Sequence, residues 1–308
     1  MVATEMATPR AAMNAPSADA AGTVTIGGDL VVNRLGFGTM RLTGAGAFGP
    51  PRDLDAARAA LRASIDLGVN LIDTSNAFGP LVAELLVREV LHPYRDITIA
   101  TKGGLLRPAP FQWNNDGRPE SLRTMVDVSL KVLAIERIDL WYLQRIDPNV
   151  PADEQFGVVA ELQRAGKIRH IGLSEVSVEQ IVAAGKHFTV AAVDNRYHVI
   201  DRGHEAVLEH CERAGIPFVA HFPLATGALA APDSVLARIA QRLGITAAQA
   251  AIAWLLARSK SLVAIPGTSR PDHARENIAA ASIALSPEDF AEIERVGRKA
   301  AMLRAPKP

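Results

Sequence analysis

From residue 34 onward, short apolar runs alternate with longer segments of helical spacing. The runs begin at Arg34 (RLGFG), Leu71 (LIDT), Ile97 (ITIATK), Asp139 (DLWYLQ), His170 (HIGLS), Ala191 (AAVDN), Pro217 (PFVAHF) and Leu262 (LVAIPG). A strand that is apolar along nearly its whole length is buried on both faces, which is the signature of parallel sheet covered by helices. The intervening segments supply those helices. Leu61 and Ile65 stand one turn apart before Gly68, and Leu122, Val126, Leu130 and Leu133 form a stripe behind Pro119. Ser177 with Gln180 and Thr246 with Gln249 have capping-box spacing, and Ser286-Pro287 opens a last amphipathic helix, over about 286–299. Eight strands alternating with helices predict an α/β chain closed into a (β/α)8 TIM barrel.

Ahead of the barrel, Thr23 to Asn33 reads as a β-hairpin turning at Gly27-Gly28-Asp29. The first 22 residues, rich in Ala, Pro, Ser and Met, show no periodicity and read as a disordered tail. Residues 23–308 then form one barrel domain, within the size one barrel absorbs. The segment from Gly103 to Gly117 reads as a long loop that helps roof the site, with Trp113 against the substrate.

Charge and composition narrow the partners. Lys plus Arg and Asp plus Glu number 33 each, with no basic cluster, so nothing draws the chain electrostatically to nucleic acid or anionic lipid. No stretch has the length of a signal-peptide core or a membrane span, which points to a cytoplasmic protein, a monomer or weak homo-oligomer, with a small-molecule substrate. The single cysteine, Cys211, excludes an intrachain disulfide and a thiolate metal cluster, reads as a half-buried helical thiol, and leaves no metal site expected.

Active sites of such barrels lie at the C-terminal ends of the strands. Those ends carry Asp73, Lys102, Gln144, Ser174-Glu175, Asp194-Asn195 and His221-Phe222, a ring more ionisable than a scaffold requires.

At these same residues the chain resembles the aldo-keto reductases, over nearly its whole length after the tail, and looks most like their bacterial pyridoxal-reductase-like branch. LGFGTMRLTG, NLIDTSNAFGP, IATKGG, LWYLQRIDP, RHIGLSEVS, VDNRYH and IPGTSRPDHARENIAA match the family's motifs in order. The resemblance implies carbonyl reduction with NADP(H): a Tyr gives the proton, a Lys paired to an Asp tunes it, and a His orients the carbonyl. By position Asp73 and Lys102 are the Asp and Lys, whereas the Tyr position is Phe78 and the His position is Gln144. Phe78 has no proton to give, and Gln144 donates a hydrogen bond but carries no charge. For the cofactor, the resemblance implies Gly38, Thr39 and Met40 on the first loop, and Gly267, Thr268, Ser269 and Arg270 at the 2′-phosphate. It adds His273, Glu276 and Asn277 near the adenine, and Ser174, Phe222 and Leu224 along the strand ends. At the nicotinamide the family's Asn and Gln are Glu175 and Asp194, and its stacking aromatic is His221, so amide donors give way to ionisable groups.

Glu175, Asp194, His198 and His221 thus add acid–base groups where a phenol is lost, with Arg145, Arg196 and Lys102 as available ion-pair partners. The residues lead to an NADP(H)-binding oxidoreductase with atypical acid–base groups and impaired reduction of ordinary carbonyls. The first alternative is a non-redox elimination, isomerisation or cyclisation enzyme on the same site, with a Lys102 Schiff base as a weaker variant. A cofactor-binding regulatory pseudoenzyme is the non-catalytic reading.

Overall fold

The computed structural model describes residues 16–304. A hairpin comes first, β1 (Thr23–Ile26) against β2 (Leu30–Asn33), with Thr23 opposite Asn33. The barrel strands are β3 (Phe37–Gly38), β4 (Leu71–Asp73) and β5 (Thr98–Gly103); then, after a small ribbon of β6 (Leu105–Leu106) and β7 (Asn114–Asn115), β8 (Ile138–Gln144), β9 (Ile168–Ser174), β10 (Val190–Arg196), β11 (Phe218–His221) and β12 (Leu262–Ala264). They pair in parallel, in chain order, as one eight-stranded sheet. Leu35 and Ala264 bridge its edges, with the Ala264 N–H on Arg34 O and the Gly36 N–H on Ala264 O, both 2.9 Å, so the barrel is closed.

Among the described residues ten helices surround it: α1 (Leu54–Asp66), α2 (Val82–Leu91), α3 (Pro119–Leu133), α4 (Ala152–Arg164), α5 (Val178–Ala184), α6 (Glu205–Ala214), α7 (Ala237–Leu243), α8 (Ala247–Arg258), α9 (Pro271–Ala279) and α10 (Pro287–Arg304). Both expected capping boxes form, at Ser177 with Gln180 and at Thr246 with Gln249. No single helix among the described residues is long and apolar enough to cross a membrane.

Two apolar clusters follow from the alternation of side chains along each strand. Outward residues pack under the helices, while Leu71, Ala100, Leu140, Tyr142, Val219 and Val263 fill the barrel interior. The hairpin closes its lower end: Ile26, Leu30 and Val32 join that interior cluster. Only the upper mouth, where the strands end, is left for chemistry.

Three expectations change. Residues 1–15 of the expected tail lie outside the described residues, but the rest of it is ordered. Ala18 is fully buried, its N–H bonds Leu67 O at 2.8 Å, and Ala18–Ala21 form a 3-10 turn against the end of α1. The 103–117 segment is not structureless, because Leu105–Leu106 pairs with Asn114–Asn115. Cys211 is wholly rather than half buried, and burial pushes its thiol up to about 12.

Candidate active site

Parallel strands in register bring their last residues to one mouth. Gln144 pairs with Ser174, Ser174 with Asp194, and Arg196 with His221 across neighbouring strands. Just past three of these ends the backbone enters the left-handed region, at Arg145 (φ 62°), Glu175 (φ 59°) and Phe222 (φ 53°). Such conformations are costly for residues with a Cβ and persist where the surroundings hold them. Here the Arg145 N–H bonds Ser174 O at 2.9 Å and the Glu175 N–H bonds Asp194 O at 3.0 Å.

The mouth opens into a cavity of about 820 Å³. Asp73, Phe78, Lys102, Gln144, Glu175 and His221 line its barrel-axis end, with Trp113 above. Its other end is lined by Gly38, Met40, Phe222 and Leu224, and by the Gly267–Arg270 turn with His273, Glu276 and Asn277. Asp194 and Ser174 are fully buried outside that lining, as is Thr39. His198 is not brought to the cavity: its backbone N–H donates to Asp201 O at 3.2 Å and its carbonyl oxygen accepts the Asp201 N–H at 3.0 Å, and this tight turn carries it off the lining.

At the axis end the ionisable groups form one continuous chain. Lys102 Nζ pairs with Asp73 and, at 3.0 Å, with Asp194. The other Asp194 oxygen meets His221 Nδ1 at 2.7 Å, and His221 Nε2 meets Glu175 at 3.1 Å. Glu175 also accepts the Arg196 backbone N–H at 3.0 Å, and His204 Nε2 lies 3.9 Å beyond. Glu175 therefore pairs with His221, not with the side chain of Arg145 or Arg196.

These contacts set the protonation states. Burial alone would neutralise Lys102, but Asp194 and Asp73 hold its ammonium above the ordinary value. Burial raises Asp73, with Lys102 opposing it only in part, whereas Lys102 and His221 together overcome burial to lower Asp194. Burial likewise disfavours a charged His221, yet Asp194 and Glu175 bring it up to about 9. Against the same penalty, His221 draws Glu175 down to about 2. At neutral pH the axis therefore holds an ammonium and an imidazolium between carboxylates.

None of the three tyrosines, Tyr94, Tyr142 and Tyr197, lines the cavity. Tyr142 comes nearest, its ring 4.7 Å from Lys102 Nζ, but its strand phase points it into the barrel interior, where its hydroxyl has no partner. Gln144 buries Oε1 without a partner, while Nε2 makes no hydrogen bond to a described residue and remains available as a donor at the cavity.

Sequence reasoning missed the fastening of the roof. Arg107, only 7% exposed, donates to Gly46 O (2.5 Å), Ala47 O (2.9 Å), Ala77 O (3.0 Å) and Gln112 O (2.8 Å). Its guanidinium lies 3.4 Å from the Trp113 ring centroid, and Trp113 meets Phe78 edge to face at 6.3 Å. One side chain thus ties three loops together behind the aromatic wall. His204, outside every motif, was missed as well, and so was Tyr142, which stands inside the LWYLQRIDP motif but at an inward strand position.

The opposite end suits a nucleotide. A Cβ on Gly267 would stand 2.2 Å from Gly38 O, so only glycine lets the two turns meet. Thr268 Oγ1 accepts the Arg270 N–H at 3.1 Å, and Arg270 opens α9 with Pro271 at its first position. The exposed Arg270 guanidinium has no partner among the described residues, which leaves it and the helix N-terminus for a phosphate. Glu276 already accepts from Thr246 Oγ1 at 2.6 Å and fastens α9 to the start of α8.

Comparison with known proteins agrees with this geometry. Residues 34–298 match the model of the aldo/keto reductase family. An uncharacterized oxidoreductase of Schizosaccharomyces pombe is 46% identical over 94% of this chain and 94% of its own length. Pyridoxine 4-dehydrogenase of Escherichia coli is 39% identical over 87% of this chain and 96% of its own. Among solved structures, an aldo-keto reductase from Klebsiella pneumoniae in complex with NADPH superposes with a TM-score of 0.75 at 27% identity, covering 89% of this chain and 94% of that one. The chain belongs to the aldo/keto reductase family.

Proposed function

We propose that the protein is an NADP(H)-dependent oxidoreductase of small carbonyl compounds in which Lys102 works without an intervening phenol. The observation that carries this reading is the Asp73–Lys102 pair at the floor of a cavity that runs without a break to the Gly267–Asn277 segment. The exchange of the family's Tyr and His for Phe78 and Gln144 gives the site its atypical character. The glycine approach at Gly267, the unpartnered Arg270 and the buried Asn277 fit NADP(H), as does the NADPH bound to the Klebsiella relative. When bound, NADP(H) supplies or accepts the hydride.

The protein supplies the proton and the fixed charges. Lys102 stays an ammonium because Asp194 and Asp73 outweigh its burial, so it has a proton to give a nascent alkoxide, but the same carboxylates make it a weaker acid than an ordinary ammonium. Asp73 and Asp194 hold that ammonium in place, and His221 neutralises the far oxygen of Asp194. Gln144 Nε2 is the donor available to orient a carbonyl oxygen. Phe78 and Trp113 form an apolar wall beside it.

The pyridoxine 4-dehydrogenase relative makes pyridoxal the first aldehyde to test. We expect measurable NADPH oxidation with pyridoxal but feeble reduction of 4-nitrobenzaldehyde, because a general acid fitted to its substrate contributes about 10²–10⁴-fold. The double variant Phe78→Tyr, Gln144→His then gains 4-nitrobenzaldehyde activity. If NADPH binds to neither protein, or neither reduces any carbonyl, the reading fails.

A second reading has one observation in its favour. Glu175 and Asp194, which would face the nicotinamide amide in the family, are turned onto His221 instead. A carboxylate–imidazolium–carboxylate set beside an ammonium also suits elimination or isomerisation without redox change. Product formation without any change in NADPH absorbance would select it.

A further inference from the structure

Four arginines line the cavity: Arg41, Arg145, Arg196 and Arg270. None makes a side-chain hydrogen bond or ion pair to a described residue; the Arg196 guanidinium rests 5.0 Å from the Phe222 ring centroid and is otherwise unmatched. Elsewhere partly or fully buried arginines are satisfied. Arg34 and Arg107 are bound by carbonyls, and Arg202 and Arg258 by carboxylates. Of the four, Arg145 is the partly buried one, Arg41, Arg196 and Arg270 being exposed; a half-buried guanidinium at a cavity wall without a partner holds a positive potential that focuses on whatever enters.

The four divide by position. Arg41 lies beside Gly267, its Cγ 3.6 Å from where a Cβ would stand there, and Arg270 follows in the same turn. Both belong to the nucleotide end. Arg145 directly follows Gln144 at the end of β8, and Arg196 ends β10. Only β9 separates those strands, so the two backbones stand about 10 Å apart, two interstrand spacings. The one carboxylate between them, Glu175, is committed to His221 and the Arg196 backbone N–H. Lys102 and His221 leave one negative charge of Asp73, Asp194 and Glu175 uncompensated, and Arg145 and Arg196 together turn this end to one positive charge in excess.

We infer that Arg145 and Arg196 form an anion subsite beside the reacting carbonyl, so that the substrate is a carbonyl compound bearing a carboxylate or phosphate group. This rests on the oxidoreductase reading for the word carbonyl, but not for the anion. Arg145 is the nearer anchor, adjacent to the Gln144 donor and held by the left-handed turn that follows β8. Arg196, more exposed, supplies the rim charge. The long guanidinium arms let one anion bridge both, as bidentate pairing favours.

The test separates the two layers. Binding of benzoate, phenyl phosphate and benzyl alcohol is measured by calorimetry on the full-length protein, with and without saturating NADP(H). One of the two anions binds at least tenfold tighter than benzyl alcohol, and which one does so distinguishes carboxylate from phosphate. Arg145→Met removes that advantage, Arg145→Lys keeps part of it, and NADPH affinity is unchanged in both. In turnover, 4-carboxybenzaldehyde has a KM at least tenfold below that of methyl 4-formylbenzoate, and the gap narrows as salt rises. Equal binding of charged and neutral probes overturns the subsite. So does an Arg145→Met variant that loses NADPH rather than benzoate, since Arg145 would then belong to the cofactor. Anion-selective binding without any carbonyl turnover supports the subsite and removes the reductase; turnover indifferent to charge does the reverse.

Discussion

The two ends of the cavity are built on opposite electrostatic plans. Along the barrel axis the buried charges are matched: Lys102 has Asp73 and Asp194, and His221 has Asp194 and Glu175, which leaves only Arg145 and Arg196 at the rim unpaired among the described residues. At the nucleotide end Arg41 and Arg270 have none, and Arg270 stands exposed on a helix N-terminus. A matched set is stable by itself and is arranged before any ligand arrives. An unmatched set is completed by the ligand. Substitutions at the two ends should therefore differ in kind: at the axis they cost stability and activity together, and at the nucleotide end they cost binding alone.

The largest break in that comparison is Lys102→Met. It leaves Asp73 and Asp194 buried with no cation between them, and removing one partner from a buried ion pair costs about 3–5 kcal/mol. Turnover should fall by about 10²–10⁴-fold with the loss of the acid. Calorimetric unfolding alongside NADPH-coupled kinetics reads both. A variant that loses activity but melts at the wild-type temperature would show that the axis charges are not a stability element.

Arg270→Gln is the counterpart. Hydrogen bonds to charged groups contribute about 1.5–3 kcal/mol, so the NADPH dissociation constant should rise roughly tenfold to hundredfold. NADH affinity and melting temperature should stay as they are, because the guanidinium has no protein partner to abandon. Fluorescence titration with both nucleotides measures this. Equal weakening of NADPH and NADH would place Arg270 away from the 2′-phosphate.

What the sequence made legible follows the same division between pattern and placement. The eight strands and both capping boxes could be read because buried parallel strands are continuous apolar runs and caps are local. The axis residues could be read because strand ends fall at one mouth in this fold. Other features were set by tertiary placement. Ala18 is held by one backbone bond and a buried methyl, which leave no periodicity to notice. Arg107 stands in a loop where an arginine reads as surface charge, yet three loop carbonyl clusters fold around it. His198 stood near the ring in sequence, but the turn closed with Asp201 removes it from the lining. Which carboxylate takes which cation was also beyond the sequence, because Arg145 and Arg196 were as available to Glu175 as His221.

A smaller effect sharpens the account of the axis through pH. Between its carboxylates His221 titrates at about 9 in the folded protein, against 6.5 ordinarily. A basic group whose folded pKa is raised stabilises the fold fully below its unfolded pKa, and that contribution disappears as pH rises through the folded value. Wild type should therefore melt roughly a few °C above His221→Gln near pH 6, with the gap closing between pH 6.5 and 9. A gap constant over that window would mean that packing, not charge, accounts for the histidine.

The smallest expected effect concerns the roof, which couples neither end by charge. Arg107 is a buried cation with no carboxylate, held by four carbonyl groups and the face of Trp113. Lysine keeps the charge but not the planar fork that reaches several acceptors at once. In Arg107→Lys the 44–49 and 104–117 loops lose part of their common anchor, so the Trp113–Phe78 wall loosens while Lys102 and its carboxylates are untouched. KM for an aromatic aldehyde should rise about fivefold, as expected for roughly 1 kcal/mol of lost net hydrogen bonding, with kcat little changed. Trp113 emission should shift red and become more accessible to acrylamide, measured against an Arg107→Lys, Trp113→Phe control, because Trp141 and Trp254 are fully buried and report no change at the roof. If kcat fell and KM did not, the clasp would be positioning the reacting groups themselves, and the roof would belong to the axis rather than to substrate entry.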